Sequence, residues 1–219
     1  MDFEEIDLKC IVSAPFEENT FVVRKKNRKD CFIIDPGLEP QRTIDFLDKN
    51  KLTPASFLIT HGHSDHIGGN QALKQRWPDC PVVIGCGDAG KLTDPQQNLS
   101  AAFGVDLVSP PADVTLDDGE VYETAGFKLS VLEIPGHSPG HVVYHWADHS
   151  PQIVLVGDVI FAGSIGRTDF PDGNFEDLKN GIHQKLFTLP DDTILYPGHG
   201  PSTTVGKEKA TNPFVGLRG

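Results

Sequence analysis

The sequence predicts a mixed α/β fold in which two sheets pack on each other with helices outside. Three observations carry this. Short apolar runs ending at Gly, Pro or Asp recur along the chain, helical spacing interrupts them in both halves, and no repeat or Ser/Gly-rich linker divides the 219 residues. A single domain is expected, large enough to bury a full core.

The elements follow in chain order. Residues 10–13, 20–24 and 31–34 read as strands, the last ending in Asp35-Pro36-Gly37. Ile44, Leu47 and Leu52 sit at near-helical spacing over 40–52, and Pro40 suits a first turn. Residues 55–60 (ASFLIT) read as a buried strand that runs directly into a histidine cluster. A second helix is expected over 68–77, closed by Pro78, with a short strand at 81–85. Beyond Glu120 the pattern becomes four strands, 120–124, 127–134, 141–146 and 152–156, joined by turns with Gly, Asp or Pro. A helix over 174–186, with Phe175, Leu178, Ile182 and Leu186 on one face, and a strand at 193–196 complete the reading.

Charge and composition limit the partners. Acidic residues number 31 against 19 basic ones, and the net charge of -12 disfavours nucleic acid and anionic membrane surfaces. No run approaches the roughly 18 apolar residues of a membrane span. The start, MDFEEIDLKC, lacks the regions of a signal peptide. Cys10, Cys31, Cys80 and Cys86 form no C-x-x-C pair, so reduced thiols in a cytoplasmic protein are expected, as a monomer or small homo-oligomer.

The strongest chemical signal is Thr60-His61-Gly62-His63-Ser64-Asp65-His66, where an apolar strand gives way to a helix. Side chains at i, i+2 and i+4 of an extended segment share a face, so His61, His63 and Asp65 converge, while His66 turns off onto the helix. With nine histidines in 219 residues, three at specified positions arise by chance at roughly 7 in 100,000 starting sites. Imidazole nitrogen with carboxylate oxygen suits zinc or another borderline divalent ion rather than calcium. Three further polar residues follow predicted strands in glycine-containing turns: His137 in Pro135-Gly136-His137-Ser138-Pro139-Gly140-His141, Asp158 in Val156-Gly157-Asp158, and His199 in Pro197-Gly198-His199-Gly200. Together these make seven candidate ligands, enough for two metals.

In that order the four motifs resemble the metallo-β-lactamase fold superfamily, over about residues 31–213. Within it the chain is most similar to the glyoxalase II-like hydrolases, because Gly157-Asp158-Val159-Ile160-Phe161 continues into Gly166-Arg167-Thr168-Asp169-Phe170 and Thr211-Asn212-Pro213 follows near the end. The resemblance implies an αββα sandwich with the metal site at the mouth between the sheets. By position, His61, His63 and His137 would hold the first metal, Asp65, His66 and His199 the second, with Asp158 bridging. Asp65 and Asp158 are thereby expected to serve catalysis as well as ligation. His141 is read as a hydrogen-bonded supporting residue. Asp35 is read as a turn former or as a group orienting a ligand histidine. Glu133 is a weaker candidate, and His145, His149 and His183 lie in no motif.

Two metals sharing a water lower its pKa from about 15.7 toward about 7, which supplies a hydroxide nucleophile at neutral pH. A thiolate leaving group needs little protonation, so the pattern fits hydrolysis of a small-molecule thioester, and the resemblance implies 2-hydroxyacyl-glutathione. The native ions are expected to be zinc, with iron or manganese suiting the same donors. The sequence ends about 20 residues after His199, so no helical C-terminal glutathione-binding domain is expected. Arg167, or Lys207 and Lys209, would then meet an anionic thiol carrier; the alternative for Arg167 is an ion pair with Asp169 or Asp172. The competing activity is that of a sulfur dioxygenase acting on persulfide with one iron held by two His and one Asp. Pro197-Gly198-His199-Gly200-Pro201, which keeps the second metal's histidine, favours the hydrolase.

Overall fold

The computed structural model describes residues 6–217, so residues 1–5 of the acidic start lie outside the described residues. The first half builds one six-stranded sheet from β1 (Ile6–Ser13), β2 (Glu18–Lys25), β3 (Asp30–Ile34), β4 (Thr53–Ile59), β5 (Val82–Gly85) and β6 (Val114–Leu116), in that spatial order. β1 to β3 pair antiparallel and β3 to β6 parallel. Parallel pairing needs crossovers. These are α1 (Pro40–Asn50) between β3 and β4, the pair α2 (Ser64–Ile67) and α3 (Asn70–Arg76) between β4 and β5, and the segment 86–113 with its short 3-10 turns between β5 and β6.

The second half supplies β7 (Val121–Thr124), β8 (Phe127–Glu133), β9 (Val142–Trp146), β10 (Ile153–Gly157), β11 (Ile160–Phe161), β12 (Ser164–Ile165), β13 (Ile194–Pro197) and β14 (Thr203–Thr204), with α4 (Phe175–Gly181) and α5 (Val205–Thr211). Its main sheet runs β14-β13-β10-β9-β8-β7, and β11 with β12 forms a separate small hairpin.

Three apolar clusters define the layers. Phe21, Phe32, Ile34 and Leu58 of one sheet meet Phe127, Leu129, Tyr144 and Leu155 of the other. On the outer face of the first sheet, Val22, Ile33, Phe57 and Ile59 pack on Leu47 of α1 and Leu73 of α3. On the outer face of the second, Val143, Val154 and Leu195 pack on Leu178, Ile182, Leu186 and Val205. Successive side chains of a strand point to opposite faces, so Phe21 and Val22 serve different clusters. The architecture is the expected αββα sandwich. At about 25 cal/mol per Å² the three clusters are the dominant stabilising contribution.

The structure corrects several element boundaries. The helix expected over 68–77 begins earlier, at Ser64, and breaks at Gly68-Gly69, where the Gly69 amide donates to the Pro36 carbonyl at 2.8 Å. A Cβ on Gly69 would lie 2.7 Å from the Gly37 carbonyl oxygen, a contact between segments far apart in sequence. The helix expected over 174–186 is α4 followed by a wider turn at Ile182–Leu186, in which the Phe187 amide reaches back five residues to the Ile182 carbonyl. Phe175, placed on the buried face, is instead 37% exposed, while Asn174 and Leu178 pack closely on Gly136. The short strands β6, β11, β12 and β14 and helix α5 were not expected. All four cysteines are free thiols, and burial pushes Cys31 and Cys80 up to about 12. Among the described residues no helix is long and apolar enough to cross a membrane.

Candidate metal centre

Every expected ligand follows the carboxyl end of a strand at one edge of the sandwich. β4 delivers the segment 60–66, β8 the loop carrying His137, β10 Asp158, and β13 His199. The two sheets are sewn together there. The Val142 amide donates to the Thr60 carbonyl at 2.9 Å, and the Asn19 amide to the Gly198 carbonyl at 2.7 Å. The Asn19 side chain donates to the Pro197 and Gly200 carbonyls at 3.0 and 2.8 Å. Asn19 gave no signal in the sequence.

Glycine is required at two points of this edge. Gly157 has φ 49°, and a Cβ there would lie 2.4 Å from Thr60 Oγ1. At Gly198 a Cβ would stand 2.3 Å from Asp158 Oδ1, in the space between Asp158 and His66. Each lets a polar neighbour enter a space that a side chain would fill.

The seven side chains form linked groups. His61, His63 and His137 present ligand atoms within 4.8 Å of one another, as do Asp65, His66 and His199, and as do His61, His66 and Asp158. His137 Nε2 lies 3.0 Å from His63 Nδ1 and 3.2 Å from His61 Nε2. His199 Nε2 lies 3.3 Å from Asp65 Oδ2. The Asp158 carboxylate sits between the groups, 3.6 Å from His137 Nε2, 3.5 Å from His66 Nε2 and 3.5 Å from His199 Nε2.

Oxygen atoms outside the cluster fix how the rings face it. His66 Nδ1 donates to Asp35 Oδ2 at 3.0 Å, His137 Nδ1 to the Arg167 carbonyl at 2.8 Å, and His199 Nδ1 to the Phe16 carbonyl at 3.0 Å. In each ring the outer nitrogen faces an acceptor oxygen and leaves Nε2 turned inward, the orientation that metal-ligating histidines use once Nε2 is free of its proton. Asp35 also accepts from the Thr60 amide and hydroxyl, both at 2.7 Å, so the structure gives it the orienting position rather than that of a turn former alone. His141 accepts from the Asp158 amide at 3.1 Å and stacks on His61 with centroids 4.7 Å apart.

Electrostatics favour a cation here. Burial and the neighbouring imidazoles hold His61 and His63 well below the usual histidine range, so both are neutral with available lone pairs. Burial opposes charge on His66, yet Asp65, Asp158 and Asp35 raise it well above that range. Burial likewise opposes ionisation of Asp65, but His66 and His199 hold its carboxyl well below the normal value. His66 Nε2 and Asp158 Oδ1 are buried without a hydrogen-bond partner. Unpartnered buried atoms are costly, and a divalent ion satisfies them. The donor set therefore fits the metals the sequence implies.

One supporting residue escaped the sequence reading. Asp88 is fully buried, with Oδ2 accepting from the Gly62 amide at 2.8 Å and the Ser138 hydroxyl at 2.5 Å, and Oδ1 from the Gly140 amide at 2.8 Å. It ties the loop of His61 and His63 to that of His137. Arg167 lies on the pocket wall but is paired in two-pronged fashion with Asp169, Nε and Nη2 each 2.7 Å from a carboxylate oxygen. Asp172 pairs with Lys91 instead. Lys207 and Lys209 do not line the pocket, and Lys209 binds Asp191 at 2.7 Å. The Glu133 carbonyl accepts from Lys185, while His145 meets Gln152, His149 the Pro151 carbonyl and His183 the Val215 carbonyl, none of them in the cluster.

An αββα sandwich with such a cluster between the carboxyl ends of its strands is the architecture of a metallo-hydrolase. The chain belongs to the metallo-β-lactamase superfamily, whose family model matches residues 14–199. It is 36% identical to the hydroxyacylglutathione hydrolase GloC of Haemophilus influenzae, over 96% of this chain and 98% of that one. Among solved structures it is similar to the BLEG-1 B3 metallo-beta-lactamase, with TM-score 0.90, 36% identity and coverage of 95% and 99% of the two chains. It is also similar to a protein solved in a di-iron-bound form, with TM-score 0.82, 34% identity and coverage of 94% and 99%.

Proposed function

We propose that this protein is a binuclear metal-dependent hydrolase of small-molecule thioesters, acting as one domain in the cytoplasm. The observation that carries this reading is the position of Asp158, within 3.6 Å of imidazole nitrogens from both groups of histidines. His61, His63 and His137 would hold one ion, and Asp65, His66 and His199 the other, with Asp158 shared. When bound, such a pair supplies Lewis-acid polarisation of a carbonyl and a water of lowered pKa.

The chain's own residues do the positioning. Asp35 and the Arg167 and Phe16 carbonyls keep the Nε2 atoms of His66, His137 and His199 turned inward. Asp65 and Asp158, on the pocket wall, accept hydrogens of the attacking water and aim its oxygen at the acyl carbon. The water oxygen joins that carbon and the carbon–sulfur bond breaks with its electron pair going to sulfur. One water proton ends on the thiol and the other is released with the carboxylate. The leaving thiolate needs no general acid, in keeping with a pocket whose lining among the described residues includes no thiol or lysine.

The donors suit zinc, and the di-iron relative supports iron as a second choice for the same ligands. The dioxygenase reading requires one iron on two His and one Asp and leaves the Asp65, His66 and His199 group without a task. Metal analysis combined with a thioester panel and oxygen uptake separates the two. Two ions per chain with thiol release support the hydrolase; one iron with persulfide-dependent oxygen consumption overturns it.

A further inference from the structure

We propose that the site selects thioesters carrying an apolar, uncharged group such as an aryl or branched alkyl chain over thioesters of anionic carriers such as glutathione. This rests on the thioester-hydrolase reading of the same site. A pocket of about 350 Å³ opens over His63, Asp65, Asp158 and His199. Its walls are Phe16, Leu99, Phe103, Phe161, Ile165 and Phe170. Phe16 follows β1 and Phe103 belongs to the loop before β6, yet the rings meet edge to face with centroids 5.3 Å apart. They remain 39% and 63% exposed. Large apolar rings left in water at the mouth of a polar cluster mark a surface meant to be covered by an apolar ligand.

Leu99 points the same way. Its φ of 69° is left-handed, a conformation that a leucine rarely adopts and a glycine would adopt without strain. Its neighbours hold it there. The Asn98 carbonyl accepts from the Ser64 amide at 2.9 Å, inside the histidine motif. The Asn98 side chain accepts from the Ser100 amide at 3.0 Å and donates to the Leu107 carbonyl at 2.9 Å. The strained backbone is thus anchored beside Asp65, and it keeps an isobutyl group on the pocket wall.

Charge completes the argument. Arg167 is the one arginine or lysine lining the pocket among the described residues, and its guanidinium is taken up by both oxygens of Asp169 and lies 4.3 Å from the Phe170 ring centroid. An anionic carrier would find two wall carboxylates, Asp65 and Asp158, and a chain of net charge -12, and the one arginine or lysine among the described residues of the pocket wall is already paired with Asp169.

The test uses the zinc-loaded full chain and three substrates: the acetyl and phenylacetyl thioesters of the neutral thiol N-acetylcysteamine, and phenylacetyl-glutathione. The expected kcat/KM favours phenylacetyl over acetyl by about tenfold or more, since covering one phenyl ring corresponds to that order of discrimination, and it favours the neutral carrier over glutathione, which the wall carboxylates repel. Calorimetry with the unreactive thioether S-benzyl-N-acetylcysteamine gives binding with a negative heat-capacity change. In the Phe16→Ala/Phe103→Ala double variant the phenylacetyl-to-acetyl ratio falls about tenfold. In Leu99→Gly the ratio also falls while the melting temperature holds or rises, which a purely structural leucine would not allow. Equal or better hydrolysis of the glutathione thioester, or an unchanged ratio in both variants, overturns the selectivity and leaves the hydrolase reading standing. Failure of fully metal-loaded protein to hydrolyse any thioester overturns that reading and this inference with it.

Discussion

Asp88 offers the sharpest test of how the centre is built. Its two oxygens accept three hydrogen bonds, from the Gly62 amide, the Ser138 hydroxyl and the Gly140 amide, all in the interior. Asp88→Asn preserves shape but replaces one oxygen with a donor. If the amide nitrogen takes the Oδ1 position, the Gly140 amide loses its acceptor; if it takes the Oδ2 position, the Gly62 amide does. A buried donor without a partner costs about 1–3 kcal/mol, so the variant should lose about that much unfolding free energy. Asp88→Ala deprives all three donors and should lose about 3 kcal/mol or more. The second consequence concerns the metal. Gly62 lies between His61 and His63, and Ser138 directly follows His137, so loosening both loops should weaken metal affinity about 10–100-fold, as loss of an outer hydrogen-bond partner does. Urea titration of the metal-free protein measures the first effect, and competition with a chromophoric chelator the second. An Asn variant with wild-type values in both would refute the reasoning. A loss of stability with unchanged affinity would refute the claim that Asp88 positions the ligand loops.

Other perturbations separate ligand, orienting and structural roles. Asp35→Asn should lower affinity for the ion proposed at His66 by about 10–100-fold, since Asp35 fixes His66 Nδ1, and chelator competition checks this. Free zinc at about 100 times its Kd should stabilise wild-type protein by about 2.7 kcal/mol. His61→Ala should lose most of that gain and all thioester hydrolysis while its metal-free form keeps wild-type near-UV circular dichroism; full zinc stabilisation of the variant would contradict the ligand role. Asp113, although exposed, is held below the usual carboxylate range because Lys74 and the Val82 amide, each at 2.8 Å, outweigh its desolvation. Its depressed native pKa gives stability that is present above about pH 3.9, the unfolded value, and lost as pH falls through the native value. Solvent screens an exposed pair, so Asp113→Asn should cost less than about 1 kcal/mol at neutral pH and progressively less on acidification below that value, as read by urea melts; a pH-independent difference would contradict the assignment.

The sequence made the centre legible where chemistry is local. The alternation of His61 and His63 after an apolar strand needs no tertiary information, and His137, Asp158 and His199 stand in glycine turns at predicted strand ends; Asp65, expected on the same extended face, instead lies in the first turn of α2 and joins His66 and His199. Their convergence follows from strands running to one edge. Asp88 and Asn19 were invisible because their partners lie far away in sequence and nothing near them in the chain marks a buried acceptor or donor. The break between α2 and α3 was equally hidden, since it depends on Gly69 touching Pro36 and Gly37. β11, β12 and β14 are two residues each, too short for alternation to register. Phe16, Leu99 and Phe103 gave no signal in the sequence, since only the fold brings them to the pocket wall that Asp158 shares.

The most direct measurement is an anomalous-scattering map at the zinc edge from crystals of zinc-loaded protein. The account predicts two peaks, one among His61, His63 and His137 and one among Asp65, His66 and His199, with Asp158 reaching both. A single peak, or none at these seven side chains in fully loaded protein, would contradict it.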